Sequence, residues 1–261
     1  MPSSRTKKST TSVKRKTVAA GVTIRSRQCW RARELVLDTS EMTAGHRIIQ
    51  ASCSIGGVRR DIDAEMSREV DRRLIRVKEM LDECISPVFL HDPTIRRRTA
   101  GKGILPKEQA ELLGAVGHVA RASGVAVDTR QTGYAAYGEL GFEPVVETGC
   151  DSYARAVIRI SELYQSIELM RGSLSAMPGG RILVRVDGYP EGETVSRCEQ
   201  PRGEVLYFLK GNGTAQLERL KIRTPTFANI PALLAMMPGC ELADAPVITL
   251  SIDPCISCTE R

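Results

Sequence analysis

The sequence predicts a mainly α-helical protein with a small β component, an α+β fold. Two long segments carry apolar residues at steps of three and four, which is the spacing of one buried helix face. A later segment, around residues 205–222, alternates apolar and polar residues as a half-buried strand does. The 261 residues suffice to bury a substantial core. No run of the sequence approaches the roughly 20 apolar residues of a membrane-spanning helix.

The first long helix is predicted over residues 62–88, with Pro87 marking its end. Its apolar face consists of Ile62, Met66, Val70, Leu74, Val77, Leu81, Ile85 and Val88. A helical entry precedes it from Ala32 to about Cys53, and the glycines at 56 and 57 interrupt the pattern. We expect the apolar face of each long helix to pack in the core and not to contact a cofactor.

The second long helix follows Asp151-Ser152, which can cap it, and ends before Pro178-Gly179-Gly180. Its apolar face is predicted to consist of Tyr153, Val157, Ile160, Tyr164, Ile167, Met170, Leu174 and Met177. The glycine-rich stretch before it, residues 96–137, predicts irregular backbone with one short helix around residues 107–113.

The C-terminal third predicts a β-hairpin followed by short elements. Val205, Tyr207 and Leu209 alternate with polar residues, and the tight-turn sequence GNGT follows at 211–214. Leu220 and Ile222 alternate in the same way beyond the turn. A short helix is predicted over residues 227–237 and an extended segment over residues 247–252.

The positive charge of the chain is concentrated at its N-terminus. Residues 1–34 hold ten Lys or Arg and one acidic residue, whereas the remaining residues hold 27 basic and 30 acidic ones. The net charge of +6 therefore comes from the tail and does not indicate a nucleic-acid partner. We predict a basic, disordered tail over residues 1–34 and one domain over residues 35–261, with a targeting peptide as the alternative for the tail.

Cys255 and Cys258 form a Cys-x-x-Cys motif close to the C-terminus. Taken alone, this spacing is compatible with a thioredoxin-like dithiol, with half of a structural zinc site, or with two unligated cysteines. The remaining cysteines and the histidines His46, His91 and His118 contain no second close pair, and we expect these histidines to be structural. A disulfide framework is not expected in a chain of this length with scattered cysteines.

The last nine residues, DPCISCTER, resemble the second cysteine motif of nickel–iron hydrogenase large subunits, Asp-Pro-Cys-x-x-Cys-x-x-His/Arg. The ending in TER is similar to that of the energy-converting branch, Ech-like and CO-induced, which is related to the 49-kDa subunit of complex I. Residues 53–62 (CSIGGVRRDI), 98–105 (RTAGKGIL) and 201–204 (PRGE) resemble further segments of this branch. The resemblance covers roughly residues 35–261 and implies that family's helical bundle with a C-terminal hairpin.

The resemblance also implies a site. Cys255 would be a terminal ligand of nickel, and Cys258 would bridge nickel to an iron that carries cyanide and carbon monoxide. Thiolates are the soft donors that such a nickel requires. Arg202 would hold a permanently charged guanidinium over the metals, beside the H–H bond that is cleaved, and Pro201 would line the cofactor. Asp253 would orient a neighbouring group.

One departure concerns the other ligands. The family binds its metals with four cysteines, two of them in an N-terminal Cys-x-x-Cys motif with a nearby histidine, and this sequence has no match to that motif. A shifted reading frame or a mis-assigned start is the expected explanation. The sequence therefore predicts the large subunit, or its C-terminal part, of an energy-converting hydrogenase. The alternatives are a nickel-free, complex I-like quinone oxidoreductase subunit and a non-catalytic scaffold.

The resemblance further implies partners and a location. The partners would be an iron–sulfur small subunit and membrane subunits, with a ferredoxin-type donor acting indirectly. The chain would lie in the cytoplasm, held peripherally at the membrane by these subunits.

Overall fold

The structure is a computed structural model that describes residues 28–260. About 49% of the residues are helical and 13% lie in strands, so the predicted α+β class is confirmed. The described chain divides into two units. The first holds residues 28–51 and 62–88, and the second holds residues 52–61 and 89–260. No helix of the described residues is long and apolar enough to cross a membrane.

The first unit contains helices α1 (residues 28–44) and α2 (Ala64–Met80). Residues 28–34 of the predicted tail are thus helical, and the rest of that tail lies outside the described residues. The prediction that the helical entry continues to about Cys53 is wrong. The helix ends before Gly45, whose φ of 81° cannot continue a right-handed helix.

Helix α2 begins at Asp63, whose carboxylate accepts the N–H groups of Glu65 at 3.0 Å and Met66 at 2.8 Å. Its predicted apolar face is largely confirmed, because the following side chains are buried: Val70, Leu74, Val77, Leu81 and Ile85. Helical backbone continues beyond α2 in two π-helical turns, Leu81–Ile85 and Pro87–His91. Pro87 therefore opens a turn instead of ending the helix, since proline is tolerated in a first turn.

The helices of the second unit are, in chain order, α3 (Pro93–Thr99), α4 (Lys107–Leu112), α5 (His118–Arg121), α6 (Ser152–Ala176), α7 (Pro225–Met236), α8 (Ala245–Ser251) and α9 (Ile256–Thr259). The long helix α6 begins as predicted at Asp151, whose carboxylate accepts the N–H of Ala154 at 2.8 Å. Its predicted apolar face is confirmed in part, because Ile160 and Ile167 are buried. Met170 is instead 45% exposed, and the fully buried Arg155 and Ile158 were not predicted.

Two small antiparallel sheets belong to this unit. Their strands are β1 (Cys53–Ser54) with β2 (Gly57–Val58), and β3 (Glu191–Gln200), β4 (Gly203–Asn212) and β5 (Arg219–Arg223) in that order. Strands β4 and β5 are the predicted hairpin, with Tyr207 paired to Ile222. Strand β3 was not predicted. It meets β4 at a two-residue turn, Pro201-Arg202, with Gln200 paired to Gly203.

The glycines of the β1–β2 hairpin are required by a close approach of another segment. A Cβ atom on Gly56 would lie 2.0 Å from the carbonyl oxygen of Val184, and one on Gly57 would lie 2.1 Å from that of Ile182. Two backbone hydrogen bonds join the hairpin to this segment. The N–H of Val58 donates to the Ile182 carbonyl at 2.9 Å, and the N–H of Val184 donates to the Gly56 carbonyl at 3.0 Å. The Gly-Gly pair thus allows the backbone of residues 182–184 to bind the hairpin.

The core of the second unit lies beneath the C-terminal residues. It consists of Leu105, Ala110, Val119, Ala232, Met236, Ile248 and Ile252. The prediction of an extended segment over residues 247–252 is wrong, because α8 occupies this stretch. Pro246 fits the first turn of that helix, and a short apolar run does not distinguish a strand from a buried helix.

Candidate metal centre

Cys255 and Cys258 lie one helical turn apart at the C-terminal end. Cys255 immediately precedes α9, and Cys258 lies within it. The carbonyl oxygen of Cys255 accepts both the N–H of Thr259 at 3.1 Å and its hydroxyl at 2.9 Å, which closes this turn. The side chain of Cys258 contributes to lowering the pKa of the Cys255 thiol, so the two side chains lie near each other. The two sulfur atoms are therefore placed to bind one metal centre.

Two buried threonines at the start of α7, its N-cap residue Thr224 and Thr226 in its first turn, hold the backbone of this cysteine turn. The hydroxyl oxygen of Thr226 accepts the N–H of Cys255 at 3.3 Å, and the hydroxyl of Thr224 donates to the Cys258 carbonyl. Thr226 is 1% exposed and Thr224 is 4% exposed. Because α7 packs against the core of the unit, the position of the cysteine pair is fixed by buried structure.

The pKa of the Cys255 thiol is lowered from its usual 9.0 to about 7. The hydrogen bond from Ser257 is the main cause, with the Cys255 sulfur and Ser257 hydroxyl oxygen 3.2 Å apart, and the N–H and thiol of Cys258 add to it. The charge of Arg202 contributes in the same direction. Since the thiolate is the form that binds metals, Cys255 is a competent ligand near neutral pH.

Asp253 and Arg202 are paired beside the cysteines. Nε of Arg202 donates to the Asp253 carbonyl oxygen at 2.7 Å and lies 3.1 Å from its carboxylate Oδ2. A second guanidinium, that of Arg159 on α6, places Nη1 2.7 Å from the same Oδ2. Asp253 adopts a φ of 52°, a left-handed conformation that non-glycine residues avoid and that concentrates at functional sites. These contacts fix the residue that leads into the cysteine turn.

The turn that carries Arg202 is set by two glycines in close contact. Gly117, at φ 65°, would bring a Cβ atom within 2.4 Å of the Arg202 carbonyl oxygen. Gly203, at φ 128°, would bring one within 2.7 Å of the Gly117 nitrogen. The loop before α5 therefore packs directly on the Pro201-Arg202 turn and holds it in position.

A buried ion cluster supports the same turn from the other side. Arg121 on α5 is 1% exposed and pairs with Asp128 at 2.8 Å, Glu162 on α6 at 2.7 Å and Glu199 on β3 at 2.9 Å. Burial raises the pKa of the Glu162 carboxyl, although the charge of Arg121 acts against this. The cluster ties β3, two residues before Pro201, to the helices.

The donor set fits half of a four-thiolate centre. Cys255 and Cys258 supply two sulfur atoms one turn apart, which suits a metal that prefers soft ligands. Across residues 28–260, no group of three or more His, Cys, Asp or Glu side chains is arranged to hold a metal ion. The cysteines of the described chain are all in the free thiol form. The pair can thus contribute two ligands but does not form a complete site by itself.

Among the predicted site residues, Arg202 is paired with Asp253, which lies two residues before Cys255, and Cys258 is one helical turn further on. Pro201 lines a cleft of about 360 Å³ with Arg159 and Glu162. The roles of the predicted residues at a metal centre stay a prediction. Arg159 itself was missed, since nothing in the sequence marks one arginine among the polar residues of a long helix. The roles of Thr224, Thr226 and Gly117 were missed as well, because each depends on a distant contact. His118 is buried as a structural residue. His46 accepts two neighbouring backbone N–H groups at its Nδ1.

The sequence matches the family described as respiratory-chain NADH dehydrogenase, 49-kDa subunit, over residues 20–189 and 185–261. This match begins earlier than the boundary predicted near residue 35.

The relatives include proteins named as hydrogenases and proteins named as NADH-quinone oxidoreductase subunits. The chain is 43% identical to the carbon monoxide-induced hydrogenase of Rhodospirillum rubrum over 88% of this chain and 64% of that protein. It is 38% identical to the membrane-bound hydrogenase subunit alpha of Pyrococcus furiosus over 89% of this chain and 58% of that protein. It is 34% identical to an NADH-quinone oxidoreductase subunit of Herpetosiphon aurantiacus, over 85% of this chain and 62% of that protein.

The chain thus spans about three fifths of the length of each of these relatives. The resemblance to energy-converting hydrogenase large subunits that the sequence predicted is confirmed. The chain belongs to the 49-kDa subunit family of respiratory-chain NADH dehydrogenase.

Proposed function

We propose that this chain is the large, catalytic subunit of an energy-converting nickel–iron hydrogenase, or its C-terminal part, acting in the reaction 2H⁺ + 2e⁻ ⇌ H₂. The observation that carries the proposal is the placement of the Cys255–Cys258 pair beside the Arg202–Asp253 ion pair. The names of the carbon monoxide-induced and membrane-bound hydrogenase relatives support it.

In this proposal Cys255 and Cys258 would hold, as thiolates, a nickel–iron group whose iron carries cyanide and carbon monoxide. When bound, the metals supply a soft centre at which the H–H bond is formed or cleaved. The chain's own contribution is to hold two sulfurs in place through α9 and the threonines of α7. The lowered pKa of Cys255 favours the thiolate that binding requires.

Arg202 acts through the positive charge of its guanidinium. Its guanidinium lies close enough to Cys255 to favour the thiolate, and it therefore also favours other negative charge that develops beside that sulfur. Asp253 orients Arg202 through both its carboxylate and its backbone carbonyl. Pro201 fixes the backbone of the turn just before the arginine.

The proposed partners follow from the same relatives. We place the chain in a complex with an iron–sulfur small subunit and membrane subunits, with electrons arriving indirectly from a ferredoxin-type donor. The names of the relatives, which include a membrane-bound hydrogenase subunit, support this assembly. The chain would then be held peripherally at the cytoplasmic face of the membrane by its partners.

Metal analysis of the purified complex that contains this chain tests the proposal, because the chain's own cysteine pair supplies only two of the four thiolates. Nickel and iron should be found in a one-to-one ratio, and both should be lost in Cys255→Ser and Cys258→Ser. Cys198→Ser is the matched control, because Cys198 is a half-buried cysteine on β3 outside the proposed centre and should not affect metal content. Hydrogen evolution from reduced methyl viologen measures the activity. Nickel-free protein with both C-terminal cysteines titrating as free thiols would contradict the proposal.

A second candidate is a nickel-free, quinone-reducing subunit of the complex I type. The family description and the NADH-quinone oxidoreductase relative favour it. The retained cysteine pair speaks against it, since the resemblance implies that such relatives have generally lost these cysteines. Quinone reduction by a complex that contains this chain and no nickel would establish this function. A complex with neither activity would favour the scaffold role.

A further inference from the structure

The carboxylate of Asp253 lies between two guanidinium groups from different elements. Nε of Arg202, from the β3–β4 turn, lies 3.1 Å from Oδ2, and Nη1 of Arg159, from α6, lies 2.7 Å from the same oxygen. The side chains of all three residues are about one third exposed. Two cations and one anion leave a net positive charge beside the cysteine pair.

Arg202 uses only part of its hydrogen-bonding capacity in this arrangement. Nε is its only nitrogen that donates a hydrogen bond to a residue within the described range, and the acceptor is the Asp253 carbonyl oxygen. A carboxylate and a guanidinium left to themselves prefer a side-on geometry with two parallel hydrogen bonds. That geometry would engage a terminal nitrogen of Arg202 as well. The observed one-nitrogen contact therefore requires something that restrains Asp253.

Arg159 is in a position to supply that restraint. It extends from a helix whose N-terminus is capped by Asp151 and whose next turn carries the fully buried Arg155. Arg155 is itself anchored, because it donates to the Ser251 hydroxyl at 2.9 Å and to the Gly103 carbonyl at 2.8 Å. The backbone from which Arg159 extends is thus well fixed, and its Nη1 contacts Oδ2 from the side of α6 as an ion pair without hydrogen-bond geometry.

We infer that Arg159 is a positioning residue of the proposed centre, which holds Asp253 so that the terminal nitrogens of Arg202 stay free for the metal site. The purpose of this restraint depends on the proposed function, but the restraint itself does not require a bound metal. Arg159 lies outside all of the sequence segments that resemble motifs of the hydrogenase family.

Arginine modification of the metal-free, full-length chain tests the restraint. Phenylglyoxal reacts with the terminal nitrogens of a guanidinium, and its rate at Arg202 is measured by peptide mass spectrometry. In Arg159→Gln, Asp253 is released to pair side-on with Arg202, and the rate at Arg202 should fall by about fivefold. Arg159→Lys retains a cation that can reach Asp253 and should keep a rate nearer to that of the wild type.

A double-variant cycle separates this role from a merely structural one. In an Asp253→Asn background there is no charged carboxylate for Arg159 to restrain, so Arg159→Gln should not slow the reaction further. Arg171→Gln is the matched control, because Arg171 lies on the same helix and pairs with Glu168 at 3.7 Å, away from this site. It should leave the rate at Arg202 unchanged. Thermal melting curves establish that each variant is folded.

An unchanged or faster reaction at Arg202 in Arg159→Gln would overturn the inference, as would an equal slowing in both backgrounds. Should Arg159→Gln fail to fold, the cycle is run with Arg159→Lys, which must then show a smaller slowing that also disappears with Asp253→Asn. Failure of the proposed function gives a different result, namely a wild-type chain that binds no nickel while the rates at Arg202 still depend on Arg159.

Discussion

At the scale of single residues, the fully buried His118 makes stability depend on pH. Burial, and next the charge of Arg159, lowers the pKa of His118 from 6.5 to about 3. Its Nε2 lies 3.1 Å from the Ser251 carbonyl oxygen, which can only accept, so the neutral ring carries its hydrogen there. Between these two pKa values the His118 ring thus stays neutral in the folded protein, whereas in the unfolded chain it binds a second proton.

The free energy of unfolding should therefore fall as pH decreases from about 6.5 towards 3, by up to about 1.4 kcal/mol for each pH unit from this residue. Urea unfolding at a series of pH values measures the slope. His118→Gln should reduce the slope between pH 6 and pH 4 whatever its stability at neutral pH. An identical slope in the variant would show that other groups cause the acid sensitivity.

Gly117 is a second residue whose role can be measured directly. In Gly117→Ala, the backbone at φ 65° and ψ −147° lies in a region essentially confined to glycine and costs about 1–3 kcal/mol. The new Cβ would also lie 2.4 Å from the Arg202 carbonyl oxygen. Gly101→Ala is a matched control, because Gly101 has a φ of 70° and no heavy atom within 4 Å of the added Cβ. Urea unfolding should show a clearly greater loss of stability for Gly117→Ala. Equal losses would mean that the contact with the Arg202 turn is not restrictive.

At the scale of elements, Arg121 joins α5, α6 and β3 through three carboxylates. Arg121→Met should lower the free energy of unfolding by about 3–5 kcal/mol, because it leaves buried carboxylates without their main cation. Arg76→Met is the control, since Arg76 is 54% exposed and pairs with Glu79 on the surface. Its effect should be much smaller, because an exposed ion pair contributes little to stability. Similar losses for both variants would show that the buried cluster does not connect these elements.

Elements with a strong period were predictable from the sequence, and those set by distant contacts were not. The buried face of α2 follows from its apolar spacing, and the β4–β5 hairpin follows from its alternation and turn residues. Strand β3 has little apolar alternation, and only its pairing with β4 makes it a strand. The buried face of α6 was predicted only in part because Arg155, a charged residue, is fully buried by its partners Ser251 and Gly103.

The same distinction applies to the candidate site. Its cysteines, Arg202 and Asp253 stand in short motifs, so a resemblance could identify them. Arg159 and Thr226 reach the site from α6 and α7, and their spacing in the sequence gives no sign of the contact. Tertiary contacts of this kind depend on how helices pack, which a local pattern does not specify.

At the scale of the whole molecule, the proposed centre belongs entirely to the second unit. Cys255, Asp253, Arg202 and Arg159 all lie between residues 89 and 260, and so do the threonines that hold the cysteine turn. The first unit has its own buried residues, including Leu74, which is 5% exposed. Loss of packing in one unit and loss of the site should therefore be separable by mutation.

Leu74→Ala and Ile248→Ala test this separation with the same kind of change in each unit. Each removes a buried aliphatic side chain and should cost about 2–5 kcal/mol. Ile248 is fully buried in the core with Ile252, the residue before Asp253, so its truncation should also weaken binding of Ni²⁺ to the full-length chain. Leu74→Ala should instead speed hydrogen exchange in α2 and leave Ni²⁺ affinity unchanged. Equal losses of affinity in the two variants would show that the proposed centre depends on both units and not on the second alone.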